Sequence, residues 1–248
     1  MQHDVYRAMY EAKDAFWWLK GMQCLFDVFF RMHIRSAHNR ILDIGCGPGV
    51  LFPVLRRYGD VYGIDISSEA VSYARKQGIA EEVLLGSGSA LPYAADTFDA
   101  IVCSDLLYHS QVPSDTAVMR EMHRALKPGG ALIIKEAAYD WLRGRVDELV
   151  HTKHRYTKSE LRDKLEQSHF VVERITYIMF FLFPAAFGMR LLERLFPRAY
   201  GASEMFSSPP LLNALFFRLV QFEAFLLRRC NFPFGLSIMA VARKKHHA

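Results

Sequence analysis

From Arg40 onward, short apolar runs alternate with stretches of helical spacing. The runs Ile41–Ile44, Val61–Asp65, Glu82–Leu85, Ala100–Ser104 and Ala131–Lys135 predict five strands. The segments Pro48–Tyr58, Ser68–Gln77 and Ser114–Leu126 read as helices between most of them. Strands separated by helices imply a parallel sheet with crossovers, hence a doubly wound α/β fold. Lys127-Pro128-Gly129-Gly130 marks a helix stop and a turn before the fifth strand.

The flanks read differently. Residues 1–38 are helical, with Tyr6, Tyr10, Phe16, Trp17, Leu25 and Phe29 as their apolar positions. Beyond Glu136, a helix is expected over His151–Ser168, with Thr157 or Ser159 as its N-cap. Val171–Thr176 and Leu236–Ala242 are further strands, the second alternating as an edge or antiparallel strand does. About 57 residues lie between them, too many for a loop. Two or three amphipathic helices are expected there, interrupted by Pro184, Pro197, Pro209 and Pro210. The uncharged stretch Ile175–Met189 falls short of the roughly 20 apolar residues that cross a bilayer. Pro184 breaks it and Arg190 stops it, so a buried or interfacial helix is expected.

Composition adds limits. Of 248 residues, 51% are hydrophobic and 23% charged, which supplies a core and excludes a disordered or fibrous chain. The formal charge is +5, but the only dense basic run is Arg243-Lys244-Lys245 with His246 and His247. That reads as a solvated tail and leaves no stripe for nucleic acid. Cys24, Cys46, Cys103 and Cys230 form no C-x-x-C pair and have no histidine at metal-ligand spacing. No metal site or disulfide framework is expected, and thiols of this kind suit a reducing cytoplasm. Met1-Gln2-His3-Asp4 does not open a signal peptide.

Four segments carry the chemistry. Ile41–Gly49 reads ILDIGCGPG: a strand with Asp43 near its end, then a loop with Gly45, Gly47 and Gly49. Such glycines allow sharp turns and close approach of a ligand to the backbone. The dinucleotide fingerprint G-x-G-x-x-G would need Gly at 50, where the chain has Val50. Asp65 ends the second strand, where a carboxylate accepts the two hydroxyls of a ribose or caps the next helix. Gly86–Pro92 (GSGSALP) with Asp96–Asp105 (DTFDAIVCSD) is the third segment, and Arg124–Gly130 (RALKPGG) the fourth.

In this order and spacing, the four segments resemble the class I S-adenosylmethionine-dependent methyltransferases, of the methyltransferase type 11 kind. The resemblance is strong over 38–136 and looser over 171–176 and 236–242. It implies a Rossmann-like seven-stranded sheet with helices on both faces and an antiparallel final strand. Residues 39–176 and 234–243 would form the cofactor-binding core, 1–38 a helical lid, and 177–233 a helical insertion between the last two strands. By the same resemblance, Asp43, Gly45, Cys46, Gly47 and Gly49 hold the methionine end of S-adenosylmethionine. Asp65 holds the ribose and Ile66 packs on the adenine. Gly88 and Ser89 meet the adenine edge, and Ser104 lies near the sulfur. Ser87 stands where many relatives have Asp.

The acceptor side is read from residues near the sheet mouth. His109 and Tyr108 follow the fourth strand, and a histidine suits the role of general base or cofactor-orienting group. His151, His154, Arg155 and Tyr156 form a polar cluster for an anionic or polar acceptor, or else a solvated helix start. Tyr6, Tyr10, Trp17 and Trp18 are lid or core aromatics. In the insertion, Phe180, Phe181, Phe183, Phe187, Leu191 and Phe196 mix with Arg190, Arg194 and Arg198. Phe216, Phe217, Phe222 and Phe225 mix likewise with Arg218, Arg228 and Arg229. This suits an acceptor pocket, a homodimer face or a peripheral contact at the inner membrane surface. The whole pattern resembles bacterial methyltransferases of lipid-linked or glycan biosynthesis, or of secondary metabolism. The expected activity is methyl transfer to a small or lipid-linked acceptor, with O-methylation favoured over N- or C-methylation. A nicotinamide-dependent oxidoreductase and a non-catalytic binding protein are the alternatives.

Overall fold

The apolar runs become strands of one sheet, the central ones buried along nearly their whole length and the two edge strands partly exposed. In the computed structural model, which describes residues 3–34, 38–195 and 206–245, the strands are β1 (Asn39–Ile44), β2 (Gly59–Asp65), β3 (Glu82–Leu85), β4 (Phe98–Ser104), β5 (Leu126–Ala137), β6 (Phe170–Ile178) and β7 (Ser237–Lys244). Their order is β3-β2-β1-β4-β5-β7-β6. Neighbours are parallel from β3 to β5, and β7 runs antiparallel to both β5 and β6. The expected seven-stranded doubly wound sheet is therefore the observed one. The order reverses between β1 and β4, which opens a crevice at the carboxyl ends of these strands.

The helices are α1 (His3–Ala12), α2 (Trp17–His33), α3 (Phe52–Leu55), α4 (Ser68–Lys76), α5 (Asp115–Ala125), α6 (Arg145–Leu149), α7 (Lys158–Gln167), α8 (Phe183–Leu195) and α9 (Pro210–Leu226). Ser67, Ser114 and Thr157 cap α4, α5 and α7, each accepting the amide three residues on. Thr157, not Ser159, is thus the cap of α7.

Several elements depart from expectation for local reasons. The helix over 48–58 shrinks to α3, because the turns of the glycine loop run to Leu51. Lys127–Gly130 belongs to β5, which starts at once after α5. The amino-terminal segment is two helices, broken where the amides of Ala15 and Phe16 both turn back to the carbonyl of Ala12. The segment 151–156 is not helical: it pairs with the post-β4 loop and the end of β5 through isolated bridges at Thr152 and Tyr156. Ile175–Met189 is the end of β6, a turn and the start of α8, not one helix. Pro184 and Pro210 sit in the first turns of α8 and α9, where proline's missing amide is no loss. They start helices and do not interrupt them. Phe196, Pro197, Arg198 and the tail residues His246 and His247 lie outside the described residues, as does the side chain of Arg194.

The insertion is built into the core. Glu223 of α9 is buried and accepts the amides of Met179 (2.5 Å) and Phe181 (3.4 Å), which ties α9 to the end of β6. Asn213 accepts the Trp17 amide (2.9 Å) and donates to the Ala15 carbonyl (3.0 Å), which ties its start to the α1–α2 break. No helix among the described residues is long and apolar enough to cross a membrane.

Gly63 of β2 shows how tightly the crevice floor is packed. A Cβ there would lie 2.8 Å from the Phe52 ring and 3.1 Å from Cys46 Sγ. Phe52 is fully buried and has no room to give. Gly63→Ala is expected to destabilise the fold by about 1–3 kcal/mol in urea unfolding, the usual cost of overpacking.

Candidate active site

The glycine loop and Asp65 lock one another in place. Gly45 and Gly47 have φ of 71° and 54°, which disfavour other residues. The Gly45 and Cys46 amides bond to the Ile64 carbonyl at 2.8 and 3.2 Å. Asp65 Oδ2 accepts the Gly47 amide (2.8 Å), and Oδ1 accepts the Ser67 amide (2.9 Å). One carboxylate thus joins the end of β2, the loop after β1 and the start of α4. The backbone at Gly47 faces open space, its nearest Cβ neighbour being Met9 Sδ at 4.0 Å. Gly49 differs: a Cβ there would strike Gln77 and Phe52 at 2.7 Å, and it does not line the cavity. Its absent side chain lets the loop pack on α3.

A cavity of about 620 Å³ begins at this loop. Asp43, Gly45, Cys46, Gly47, Asp65, Ile66, Gly88, Ser89 and Ser104 all line it, together with Ser87 and Gly86. Ile66 is 53% exposed at the rim, an apolar plate ending a strand. The Ser87 and Ser89 hydroxyls pair at 2.8 Å. From above, α1 contributes Tyr6 and Met9. Tyr10 faces away and packs on Tyr73 of α4, with ring centroids 5.0 Å apart.

The same cavity continues into an apolar chamber. Trp17, Trp18 and Phe216 wall one side, Leu142, Val146 and Val150 another, and Leu182, Ala186 and Met189 of the insertion a third. At its polar end stand Asp105, Tyr108, His109 and Lys135. Lys135 is 1% exposed; its Nζ lies 2.5 Å from Asp105 Oδ2 and over the Trp18 ring at 5.0 Å. Asp105 is itself held at φ 58°. Beneath it, buried Glu136 accepts the Leu107 amide (2.9 Å) through one oxygen, while the other has no partner. His109 Nδ1 accepts the Gln111 amide (3.1 Å). Burial, with His151 and Lys153 nearby, lowers its pKa to about 4, so the ring is neutral at pH 7.

The predicted polar cluster divides. Arg155 reaches the chamber wall, but Asp147 holds its guanidinium at 2.8 and 2.9 Å. His154 sits between Asp140 and Glu160 (3.0 and 2.8 Å), away from the cavity. The fully buried Tyr156 donates to Asp115 (2.9 Å), and His151 is exposed. Neither lines the cavity.

Burial dominates the electrostatics. It raises Asp43 to about 8, with Asp65 adding to the effect, and raises Asp65 as well. Glu136 rises to about 8 and Glu223 to about 7, burial again leading. The S-adenosylmethionine that the sequence implies is cationic at its sulfonium and its ammonium, and a buried acidic wall fits it. So do the open backbone at Gly47 and the apolar plate at Ile66. Carboxyls with raised values hold protons in the folded chain that the unfolded chain has lost. The free protein should therefore lose stability as pH rises from about 6.5 to 8. The lowered values of His33 and His109 oppose the trend near their unfolded value of 6.5, and that opposition fades as the pH rises above it. Thermal unfolding against pH should show this negative slope, and Asp43→Asn should flatten it.

Comparison with known proteins agrees with this geometry. Residues 42–134 match the methyltransferase domain family model. A ubiquinone biosynthesis O-methyltransferase of Xanthomonas oryzae pv. oryzae is 40% identical over 104 residues, covering 40% of this chain and 43% of the relative. Methyltransferase GfsG of Streptomyces halstedii is 35% identical over 122 residues, 46% of this chain and 42% of the relative. The match thus spans less than half the length of these relatives. A SAM-dependent methyltransferase structure from Methanosarcina mazei superposes with a TM-score of 0.56 at 20% identity, over 88% of this chain and 98% of that one. Residues 42–134 thus match a methyltransferase domain, within a chain that has the fold of S-adenosylmethionine-dependent methyltransferase structures.

Proposed function

We propose that the protein transfers the methyl group of S-adenosylmethionine to a hydroxyl of a small, largely apolar acceptor. The observation that supports this is continuity: the acidic, glycine-lined cradle and the aromatic chamber are one cavity. The cofactor supplies an electrophilic methyl on sulfur when bound. Asp65 and Ile66 would hold its nucleoside, and Asp43 with the Gly45–Gly47 backbone its amino-acid end. The remaining task of the protein is to orient the acceptor and exclude water. Trp17, Trp18 and Phe216 seat the apolar body. Lys135, Asp105 and His109 meet the polar head at the chamber end nearest Ser104.

The hydrogen-bond pattern gives these groups roles. With Nδ1 accepting from Gln111, neutral His109 carries its hydrogen on Nε2 and donates toward an acceptor oxygen. The His109 donor and the Lys135 ammonium would stabilise the acceptor hydroxyl as its oxyanion, its proton having left to solvent on binding, and that oxyanion would take the methyl and be neutralised in the ether. Asp105 keeps Lys135 aimed into the chamber. Oxygen is favoured as the reacting atom because this end offers donors. The ubiquinone biosynthesis O-methyltransferase among the relatives points the same way. An acceptor with a lipid-like tail suits the chamber wall.

The test uses purified protein, S-adenosylmethionine labelled in its methyl group, and phenols with lengthening alkyl tails. Turnover with kcat/KM rising up to about fourfold per methylene is expected, since each buried methylene is worth about 0.8 kcal/mol. No transfer to any hydroxyl acceptor, with S-adenosylhomocysteine binding intact, would remove this reading and leave a binding protein. Asp65→Ala should weaken S-adenosylhomocysteine by about 1–3 kcal/mol in calorimetry. His109→Ala should lower kcat by about 100-fold and spare cofactor affinity; equal losses in both would assign His109 to the cofactor.

A further inference from the structure

The insertion has two faces, and only one of them belongs to the cavity. The inner sides of α8 and α9 give Ala186, Met189 and Phe216 to the chamber. The outer sides are exposed and apolar. Of the sixteen large hydrophobic residues exposed among the described residues, eleven lie between Phe187 and Phe234. On α9 the exposed positions Leu211, Leu215, Arg218, Phe222 and Phe225 recur at spacings of three and four, which forms a single stripe along the helix, and exposed Arg229 lies in the turn that follows it. On α8, Phe187, Leu191 and Leu195 do the same, at 48%, 51% and 63% exposure. Neither stripe touches the chamber.

On α9 charge is sorted by side. Residues 177–233 contain six arginines and three glutamates, and no lysine or aspartate. In α9 the one acidic residue, Glu223, is turned inward and buried, whereas Arg218 stands outward in the apolar stripe and Arg229 continues it. An apolar stripe bearing only cations complements a plane of anionic headgroups above acyl chains. A second copy of the chain fits poorly, because a twofold contact would set the same arginines against each other with no acidic partner on the stripe. Helices of 13 and 17 residues, neither able to span, suit lying in the interface.

We propose that the outer faces of α8 and α9 dock the protein on a bilayer containing anionic lipid. This docking uses residues other than those of the chamber, so it stands whichever acceptor the chamber takes. The experiment is co-sedimentation of the full chain with vesicles of phosphatidylcholine alone, or with roughly a third phosphatidylglycerol. Wild-type protein is expected to partition at least about tenfold more strongly to the anionic vesicles, and to lose that preference in high salt. Leu215→Glu with Phe225→Glu should abolish binding to both. Arg218→Gln with Arg229→Gln should remove most of the anionic preference. Each variant is checked for unchanged S-adenosylhomocysteine affinity and thermal unfolding. Wild-type protein left in the supernatant with anionic vesicles would overturn the proposal, as would equal binding to both vesicles. So would a dimer in sedimentation equilibrium that the Leu215 and Phe225 substitutions split, which would assign the face to a second copy.

Discussion

The Asp65 carboxylate is the constraint from which the site follows. Its two oxygens accept the Gly47 and Ser67 amides, so one side chain fixes the loop after β1 against the helix after β2. Each oxygen keeps a second acceptor direction for a ligand hydroxyl. The loop can meet this carboxylate only because Gly45 and Gly47 take positive φ, and the ligand can meet the loop only because Gly47 has no side chain. The helix after β2 is capped by Ser67 and not by Asp65. The carboxylate holds the Ser67 and Gly47 amides and still lines the cavity.

The second organising feature is that the chamber is assembled from the parts of the chain farthest apart in sequence. Asn213 bonds to Ala15 and Trp17, and Gly21 lets α2 approach Val220 so closely that a Cβ would sit 3.1 Å from it. The amino-terminal helices and the insertion thus close over the sheet mouth as one structure. The apolar walls of the chamber come from side chains outside the matched 42–134 core, whereas Asp105, Tyr108 and His109 within it stand at the polar end.

What the sequence revealed depended on the range of the interactions involved. The strands, and the glycine loop with the carboxylate after it, were legible because each rests on local chemistry: β-branched runs, glycines at fixed offsets, an aspartate at a strand end. The acceptor side was not, because burial there is decided by distant segments. Arg155 and His154 look like ligand-binding groups in H-T-K-H-R-Y, yet Asp147, Asp140 and Glu160 neutralise them from other elements. Lys135 and Glu136 went unremarked, although two charged residues ending the apolar run Leu132–Ile134 at the ligand edge of the sheet were a usable signal. Gly49 resembles its neighbours in the loop, but only three-dimensional packing shows that it serves α3 rather than the ligand.

The electrostatics tie these layers together. Asp43, Asp65 and Glu136 are all buried around the sheet mouth, and burial raises the pKa of each. A fold selected for stability alone would replace such groups with apolar ones of similar size. Their presence makes sense if a cation arrives among them, because its charge offsets the desolvation that the empty protein leaves uncompensated. Lys135 supplies one such cation permanently at the chamber end, paired with Asp105. At the Asp43 end, among the described residues, no side chain forms a salt bridge with either Asp43 or Asp65. The acidic end of the cavity is thus shaped for a positively charged ligand, while Lys135 holds a fixed positive charge at the other end.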